Sequence, residues 1–181
     1  MMSRLFIALD IPQKKIEDII NIRNEIYDLE DNIKWEDLNK FHITIKFLGD
    51  VGENMLNLIS NKLEEINFNK IETHFTKFEL FYKNKEPKIL WVGINLNENL
   101  SRLKEIIEDH CELMGFPKEA NKFKPHLTLL RIKGKEDLSK IEKFLTYRID
   151  SNFVIDSFSL LKSTLYPQGS MYNLVKKYNL I

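Results

Sequence analysis

Hydrophobic residues along the chain follow two kinds of spacing, and these predict where strands and helices lie. Runs of β-branched, aromatic and other apolar residues bounded by turn-forming residues predict strands, whereas apolar residues three or four positions apart predict helices. The predicted strands cover residues 4–11, 41–48, 71–82, 89–96, 126–132, 153–162 and 171–178. The predicted helices cover residues 13–30, 53–66, 100–114 and 138–145.

The order of these elements predicts an α+β fold with antiparallel sheets. Strands follow one another directly at two places, so the strand–helix alternation of a doubly wound parallel sheet is absent. A weak internal repeat is also present, since Lys40–Ile45 and Phe123–Leu129 each place a histidine on a strand that a helix follows. With no Gly-, Ser- or Pro-rich linker between the halves, we expect residues 1–181 to form one domain of two related lobes packed face to face.

Composition narrows the classes of partner. Lys and Arg total 27, as do Asp and Glu, so no net positive field is available to hold a long nucleic acid. Any nucleic-acid contact is therefore expected at an end or a short segment. No apolar run could span a bilayer and no signal peptide is recognisable, which predicts a cytoplasmic protein. The single cysteine, Cys111, excludes an intramolecular disulfide and is expected to be a packing residue.

Two motifs with the same spacing carry the candidate chemistry: His42-Ile43-Thr44 and His126-Leu127-Thr128. On a strand, residues i and i+2 project on the same side, about 7 Å apart, so each motif forms a row of one imidazole and one hydroxyl. If the lobes are related by a pseudo-twofold axis, the two rows converge on one point. Two imidazoles could then act as general base and general acid on a phosphodiester, while the threonine hydroxyls stabilise the phosphate oxygens.

Chance occurrence and metal binding are the two alternatives for these histidines. With six Thr in 181 residues, two chance His-x-Thr pairs are expected in fewer than about 1 in 100 chains. A metal site is disfavoured because His-x-Thr supplies one good ligand per strand. The remaining histidines, His74 and His110, have no partner at a useful spacing and are expected to be structural.

The chain resembles the RNA 2′,3′-cyclic phosphodiesterase family, the 2′-5′ RNA ligase-like branch of the two-histidine (2H) phosphoesterases. The strings that carry the resemblance span nearly the whole chain: Arg4–Ala8, Phe41–Gly49, Leu90–Gly93, Pro125–Leu129 with Arg131, and Ser163-x-Leu165 to Gly169-x-x-Tyr172. The family implies a bilobed α+β fold with helices on the outer faces of the two sheets, no metal or other cofactor, and hydrolysis of a 2′,3′-cyclic phosphate to a 2′-phosphomonoester. Some members also join RNA ends through a 2′-5′ linkage.

The resemblance also implies that Phe47 and Arg131, each five residues after its histidine, contact the substrate. Strict alternation places position i+5 on the opposite face, so the strands must bend, bulge or end for these residues to reach the site. A core position remains an alternative for Phe47, and a surface salt bridge for Arg131. Lys46 shares the parity of His42 and could add positive charge or be solvated, and Leu130, where the family often has Ala, could narrow the site.

The expected partners are RNA ends or small cyclic nucleotides, with no membrane, and the chain is expected to be a monomer. Two further functions are compatible with the sequence. One is a phosphodiesterase for a small cyclic or 2′-5′ nucleotide, and the other is a non-catalytic RNA-end-binding protein.

Overall fold

The structure, a computed structural model, describes residues 2–27, 33–149, 151–167 and 169–181. Its strands are β1 (Met2–Asp10), β2 (His42–Gly52), β3 (Ile71–Lys83), β4 (Glu86–Ile94), β5 (His126–Arg131), β6 (Asn152–Ile155), β7 (Ser157–Tyr166) and β8 (Gly169–Asn179). Its helices are α1 (Gln13–Ile26), α2 (Glu53–Glu64), α3 (Glu98–Leu113) and α4 (Leu138–Phe144), with a 3₁₀ turn at Leu38–Lys40. Residues 28–30 of the first predicted helix and Gln168 of the last predicted turn lie outside the described residues.

The strands form two four-stranded sheets, with orders β2-β1-β7-β8 and β5-β4-β3-β6. Strand pairing within these sheets is antiparallel throughout the described residues. Together with the helices, this confirms the predicted α+β fold. Among the described residues, no helix is long and apolar enough to cross a membrane.

The prediction of a single strand over residues 153–162 was wrong, because this segment forms two strands that belong to different sheets. β6 pairs with β3 in the second sheet, and β7 pairs with β1 in the first. Burial alternates along β6 but is continuous from Ser157 to Leu160, so the two-residue period is interrupted at Asp156. Side chains buried on both faces of β7 made the two strands look like one apolar run.

The hydrophobic core lies where helices cover the sheets. β1 is a central strand, and its residues Leu5 to Leu9 are at most 2% exposed. Helices α2 and α3 contact each other, as do α1 and α4, and each turns an apolar face inward. Burial of these faces, at about 25 cal/mol per Å² of apolar area, is the main favourable term that holds the motif strands in place.

β2 and β5, which carry the two His-x-Thr motifs, are each the outermost strand of their sheet and contact each other. β2 runs past its predicted end because Gly49 adopts a φ of 74° and still pairs with Leu5. In the second sheet Gly93 lies opposite His126, and a Cβ atom there would approach Thr76 Oγ1 to 2.3 Å. Glycine therefore permits the close packing beside the second motif, on the face that carries His126.

Candidate active site

The two His-x-Thr rows meet at one cavity of ≈ 220 Å³ between the sheets. All six residues predicted from the sequence line it: His42, Thr44, Phe47, His126, Thr128 and Arg131. Five further residues that sequence reasoning did not assign to the site also line it: Phe6, Glu36, Lys40, Ile89 and Tyr172.

Matching β-bulges decide which side chains of the motif strands face this cavity. Thr44 pairs with Ala8 whereas Lys46 pairs with Ile7, so Ile45 is an extra residue in β2. In β5, Leu129 is extra in the same way between Thr128 and Leu130. Each bulge lies three residues after the histidine and reverses the parity of the later residues in its strand. Consequently, Phe47 and Arg131 project on the side of their histidines.

The same parity shift makes the predictions for Lys46 and Leu130 wrong. Both side chains are buried, at 1% and 0% exposure, and neither lines the cavity. Lys46 is therefore not a solvated or cavity-facing cation. Leu130 packs in the core and does not narrow the site.

The backbone of each bulge is held by a different donor. Lys104 Nζ donates a hydrogen bond to the carbonyl oxygen of Ile45, at 2.7 Å. The carbonyl oxygen of Leu129 instead accepts from the backbone N–H of Glu36, at 3.0 Å. The bulge carbonyls are therefore satisfied, as buried backbone groups must be, but by unrelated means in the two lobes.

A buried ionic cluster lies behind the first bulge. Glu108 on α3 is 6% exposed and accepts hydrogen bonds from both Lys46 and Lys104. Lys46 also donates to the carbonyl oxygen of Pro117, at 2.8 Å, and Lys104 pairs with Glu119, at 3.1 Å. Burial by itself raises the pKa of Glu108, but the hydrogen bonds from the two lysines outweigh it and lower that pKa. The carboxylate is thus ionised, and the lysine that the bulge turns inward is paired.

Aromatic rings surround both imidazoles. The ring of His42 lies 5.0 Å from that of Phe6 and 5.2 Å from that of Tyr172. The ring of His126 lies 5.1 Å from that of Phe81 and 5.6 Å from that of Trp91. These rings restrict the orientation of each imidazole and remove water from one side of it.

Hydrogen bonding fixes which nitrogen of His126 is available for proton transfer. Its Nδ1 donates to the carbonyl oxygen of Lys124, at 2.8 Å. Because a carbonyl can only accept, Nδ1 carries a proton and Nε2 is the exchanging nitrogen. His42 is likewise hydrogen-bonded by the backbone of Lys40, also two residues before its histidine.

Both imidazoles are harder to protonate than histidine in water. Burial lowers the pKa of His42 from 6.5 to about 4, and the charge of His126 adds to this effect against the opposing hydrogen bond to Lys40. Burial also lowers the pKa of His126, and the charges of Lys124 and Arg131 contribute. Both histidines are therefore neutral near pH 7 in the free protein, and an anion between them would restore part of their basicity.

Phe47 and Arg131 stand at the mouth of the cavity. The side chain of Phe47 is 67% exposed, which contradicts the alternative that it belongs to the core. Arg131 Nε donates to Glu36 Oε1 at 2.7 Å, so the salt bridge expected as an alternative is present. Arg131 nevertheless lines the cavity as well. An exposed aromatic face and a guanidinium held in place are therefore available at the two sides of the opening.

The residues missed by sequence reasoning differ in the signal they carried. Tyr172 ends the string Gly169-x-x-Tyr172, which is part of the family resemblance. Its parity on β8 could therefore have suggested that it faces the site. Glu36 lies in a segment without a periodic pattern, and its place depends on the isolated bridge between Trp35 and Leu130. No local signal could have found it.

The residues expected to be structural lie away from the cavity lining. His110 Nδ1 donates to the carbonyl oxygen of Ile106, at 2.8 Å, within α3. His74 lines a separate cavity of ≈ 470 Å³ that shares no residue with the candidate site. Cys111 is buried, and burial raises the pKa of its thiol to about 11, so it is a packing residue. Within the described ranges, no group of three or more His, Cys, Asp or Glu side chains is arranged to hold a metal ion.

Two pseudo-symmetric sheets, with one His-x-Thr row from each facing a shared cavity, define the 2H class of phosphoesterases. The family described as LigT-like phosphoesterase matches the chain twice, over residues 9–91 and 92–172, in agreement with the internal repeat. The chain belongs to the LigT-like phosphoesterase family.

Relatives in this family carry the same name in several organisms. A protein of Methanocaldococcus jannaschii named RNA 2′,3′-cyclic phosphodiesterase is 30% identical over 97% of this chain and 99% of its own length. Proteins with that name from Aeropyrum pernix and Archaeoglobus fulgidus are 33% and 29% identical, over 76% and 93% of this chain and 80% and 96% of their own lengths.

Solved structures show the same fold. The crystal structure of E. coli LigT complexed with 3′-AMP superposes with a TM-score of 0.79 at 20% identity, covering 99% of both chains. The crystal structure of TT0787 of Thermus thermophilus superposes with a TM-score of 0.75 at 20% identity, covering 98% of this chain and 97% of the other.

Proposed function

We propose that this protein hydrolyses RNA 2′,3′-cyclic phosphate ends to 2′-phosphomonoesters without a metal ion. The observation that carries the proposal is the meeting of two imidazoles and two threonine hydroxyls, one pair from each sheet, at a single cavity. The names of the relatives, at 25–33% identity over most of the chain in several cases, support the same substrate class.

The proposed reaction is an acid–base hydrolysis at phosphorus. One imidazole takes a proton from a water molecule, whose oxygen forms a new bond to phosphorus. The bond between phosphorus and the ribose O3′ breaks, and the second imidazole gives its proton to that oxygen. Charge accumulates on the non-bridging phosphate oxygens, and the hydroxyls of Thr44 and Thr128 donate hydrogen bonds to them. The reverse type of reaction, 2′-5′ joining of RNA ends, would use the same groups.

Phe47 and Arg131 are proposed to hold the terminal nucleotide. The exposed ring of Phe47 offers a stacking face for the base, a contact worth about 1–3 kcal/mol per base. Arg131, oriented by Glu36, offers a cation to the base or the phosphate. The protein is proposed to act in the cytoplasm as a single-domain monomer on short or single-stranded RNA ends.

The reaction is tested with a short RNA that ends in a 2′,3′-cyclic phosphate, in the presence of excess chelator. We expect a product with a 2′-phosphate, resolved from the 3′-phosphate isomer by chromatography. Turnover that appears only after a divalent ion is added would contradict the metal-free mechanism. Hydrolysis of small cyclic nucleotides but not of RNA ends would instead indicate the small-nucleotide phosphodiesterase.

Replacement of either candidate histidine tests the two-histidine mechanism. We expect His42→Ala and His126→Ala each to reduce kcat by at least about 100-fold, the scale of a lost proton-transfer group. His110→Ala is the matched control, because His110 bonds only within α3, and should keep full activity. Circular dichroism checks that the variants are folded, and comparable turnover in either candidate variant would contradict the mechanism.

A further inference from the structure

A groove continues from the candidate active site along the same face of the first sheet. It has a volume of ≈ 340 Å³ and shares Phe6, Phe47 and Tyr172 with the cavity that holds the histidines. The side chain of Phe47 therefore lies between the cavity and the groove and lines both of them. A ligand that stacks on Phe47 can extend into the groove without leaving the protein surface.

The groove combines apolar faces, hydroxyls and one cation. Leu165 is 66% exposed at its wall, and Ser163 and Ser170 add hydroxyl groups. Arg4 is exposed on β1, opposite Ser163 on β7, which in turn lies opposite Tyr172 on β8. Among the described residues Arg4 forms no ion pair within 4 Å. A flat apolar surface beside a guanidinium without a close ion pair suits a nucleoside and its phosphate.

The position of Arg4 indicates a phosphate other than the reacting one. Thr44, which faces the reacting phosphate, pairs with Ala8 on β1. Arg4 is four residues from Ala8 along that strand, which corresponds to about 13 Å. This separation of the two strand positions favours contact of the guanidinium with a backbone phosphate one nucleotide further along an RNA chain over contact with the cyclic phosphate.

The cavity on the other flank of the site contains side chains of both charges. That cavity, of ≈ 250 Å³, is lined by the cations of Lys34, Lys40, Arg131 and Lys133 and by the carboxylates of Glu36 and Asp37. Lys40 pairs with Asp37 at 2.8 Å, and Arg131 pairs with Glu36 at 2.7 Å. At least two of its four cations are therefore engaged by carboxylates of the same cavity, whereas Arg4 has no ion pair within 4 Å among the described residues.

We propose that the groove binds the nucleotide that precedes the reacting terminal nucleotide in single-stranded RNA. Its base packs on Leu165 and Tyr172, and a backbone phosphate contacts Arg4. The inference rests on the proposed function and deepens it, since it makes RNA of two or more nucleotides a better substrate than a cyclic mononucleotide.

The test compares kcat/KM for a trinucleotide with a 2′,3′-cyclic end and for the cyclic mononucleotide with the same base. We expect the native protein to favour the trinucleotide, and Arg4→Gln to lower that ratio roughly 3- to 10-fold. Leu165→Ser should lower the ratio as well, through the apolar wall alone. Arg102→Gln is the matched control, because Arg102 is an exposed arginine on α3 that lines none of these cavities, and should leave the ratio unchanged.

The contribution of charge to RNA binding in the groove is tested separately from that of the apolar wall. The slope of log affinity against log salt concentration should fall by about 0.7 in Arg4→Gln, the value for one lost phosphate contact on a single strand. Asp50 is exposed on β2 opposite Arg4, and its negative charge opposes phosphate binding there. Asp50→Asn should therefore raise the affinity for the trinucleotide.

The possible outcomes distinguish failure of the groove proposal from failure of the proposed hydrolysis. If the native protein hydrolyses both substrates and the ratio is the same in Arg4→Gln and Leu165→Ser, the groove does not bind RNA and the inference is overturned. If it hydrolyses neither, the proposed function fails. Fluorescence anisotropy of a trinucleotide with a terminal 2′-phosphate then still decides about the groove, because Arg4→Gln must weaken that binding if the inference is right.

Discussion

At the scale of single residues, the two histidines illustrate how burial adjusts a common side chain for proton transfer. Aromatic neighbours and the opposite lobe take both imidazoles partly out of water, and this lowers the pKa of each. A neutral imidazole is ready to act as a base. The partner imidazole must be protonated to act as an acid, and a bound phosphate anion favours that form.

The pH dependence of the reaction follows from these pKa values. One histidine must be neutral and the other protonated, so kcat/KM should follow a bell-shaped profile that reports the free enzyme. Because both pKa values lie below 6.5, the alkaline limb of kcat/KM should also lie below pH 6.5. The alkaline limb of kcat should lie at higher pH, since the bound phosphate raises the pKa of the acid. Steady-state kinetics between about pH 4 and 9 measures both, and a kcat/KM limb above pH 6.5 would contradict the effect of burial.

Lys124 provides a matched test of that profile. Its charge lowers the pKa of His126, whereas its backbone carbonyl, which holds the ring, is unaffected by a side-chain change. Lys124→Gln should therefore shift the limb that belongs to His126 to higher pH. Lys143→Gln, an exposed change on α4, should not.

At the scale of secondary-structure elements, the bulges in β2 and β5 determine what the motif strands present. Both strands show the same sequence of half-buried, buried and exposed positions from their histidine onward. The inward position after each bulge is occupied by Lys46 in one lobe and Leu130 in the other. The first lobe therefore needs a buried counter-charge that the second does not.

That counter-charge should be required for stability. Glu108→Gln would leave Lys46 and Lys104 without a full partner and should lower the free energy of unfolding by about 3–5 kcal/mol. Lys46→Leu should cost much less, since Glu108 keeps Lys104 and leucine already fills the equivalent position in β5. Glu105→Gln, exposed on the same helix, is the control. Urea denaturation gives all three values, and equal losses in Glu105→Gln and Glu108→Gln would show that the buried cluster is dispensable.

At the scale of the whole molecule, the chain builds the first sheet from both of its ends. β1 and β2 come from the start of the chain, and β7 and β8 return to them after the second sheet is complete. Residues 4–9 of β1 pair with residues 158–163 of β7. Each lobe contains one motif, but the lobes are not two separable halves of the sequence.

A fragment of residues 1–156 tests this interdependence. It keeps both His-x-Thr motifs but removes β7, with its fully buried Phe158 and Leu160, and β8, which together complete the first sheet. We expect it to lack cooperative thermal unfolding by circular dichroism and to show no turnover. Addition of residues 157–181 as a separate peptide should restore part of both. A fragment that is folded and active by itself would show that β1 and β2 suffice to position His42.

The sequence by itself determined the positions of most elements, the α+β class and the two motifs. Apolar spacing records which face of a helix or strand is buried, and that information is local. The predicted helices and the strands that carry His42 and His126 therefore agree with the structure to within a few residues, apart from the residues not described.

Tertiary structure decided the features that depend on a partner strand. The register with β1 and β4 creates the bulges, and these send Lys46 inward and Phe47 outward, against strict alternation. The break at Asp156 and the placement of Glu36 likewise depend on contacts between segments far apart in the chain. A two-residue period in the sequence specifies alternation, but only pairing with another strand specifies where that alternation is interrupted.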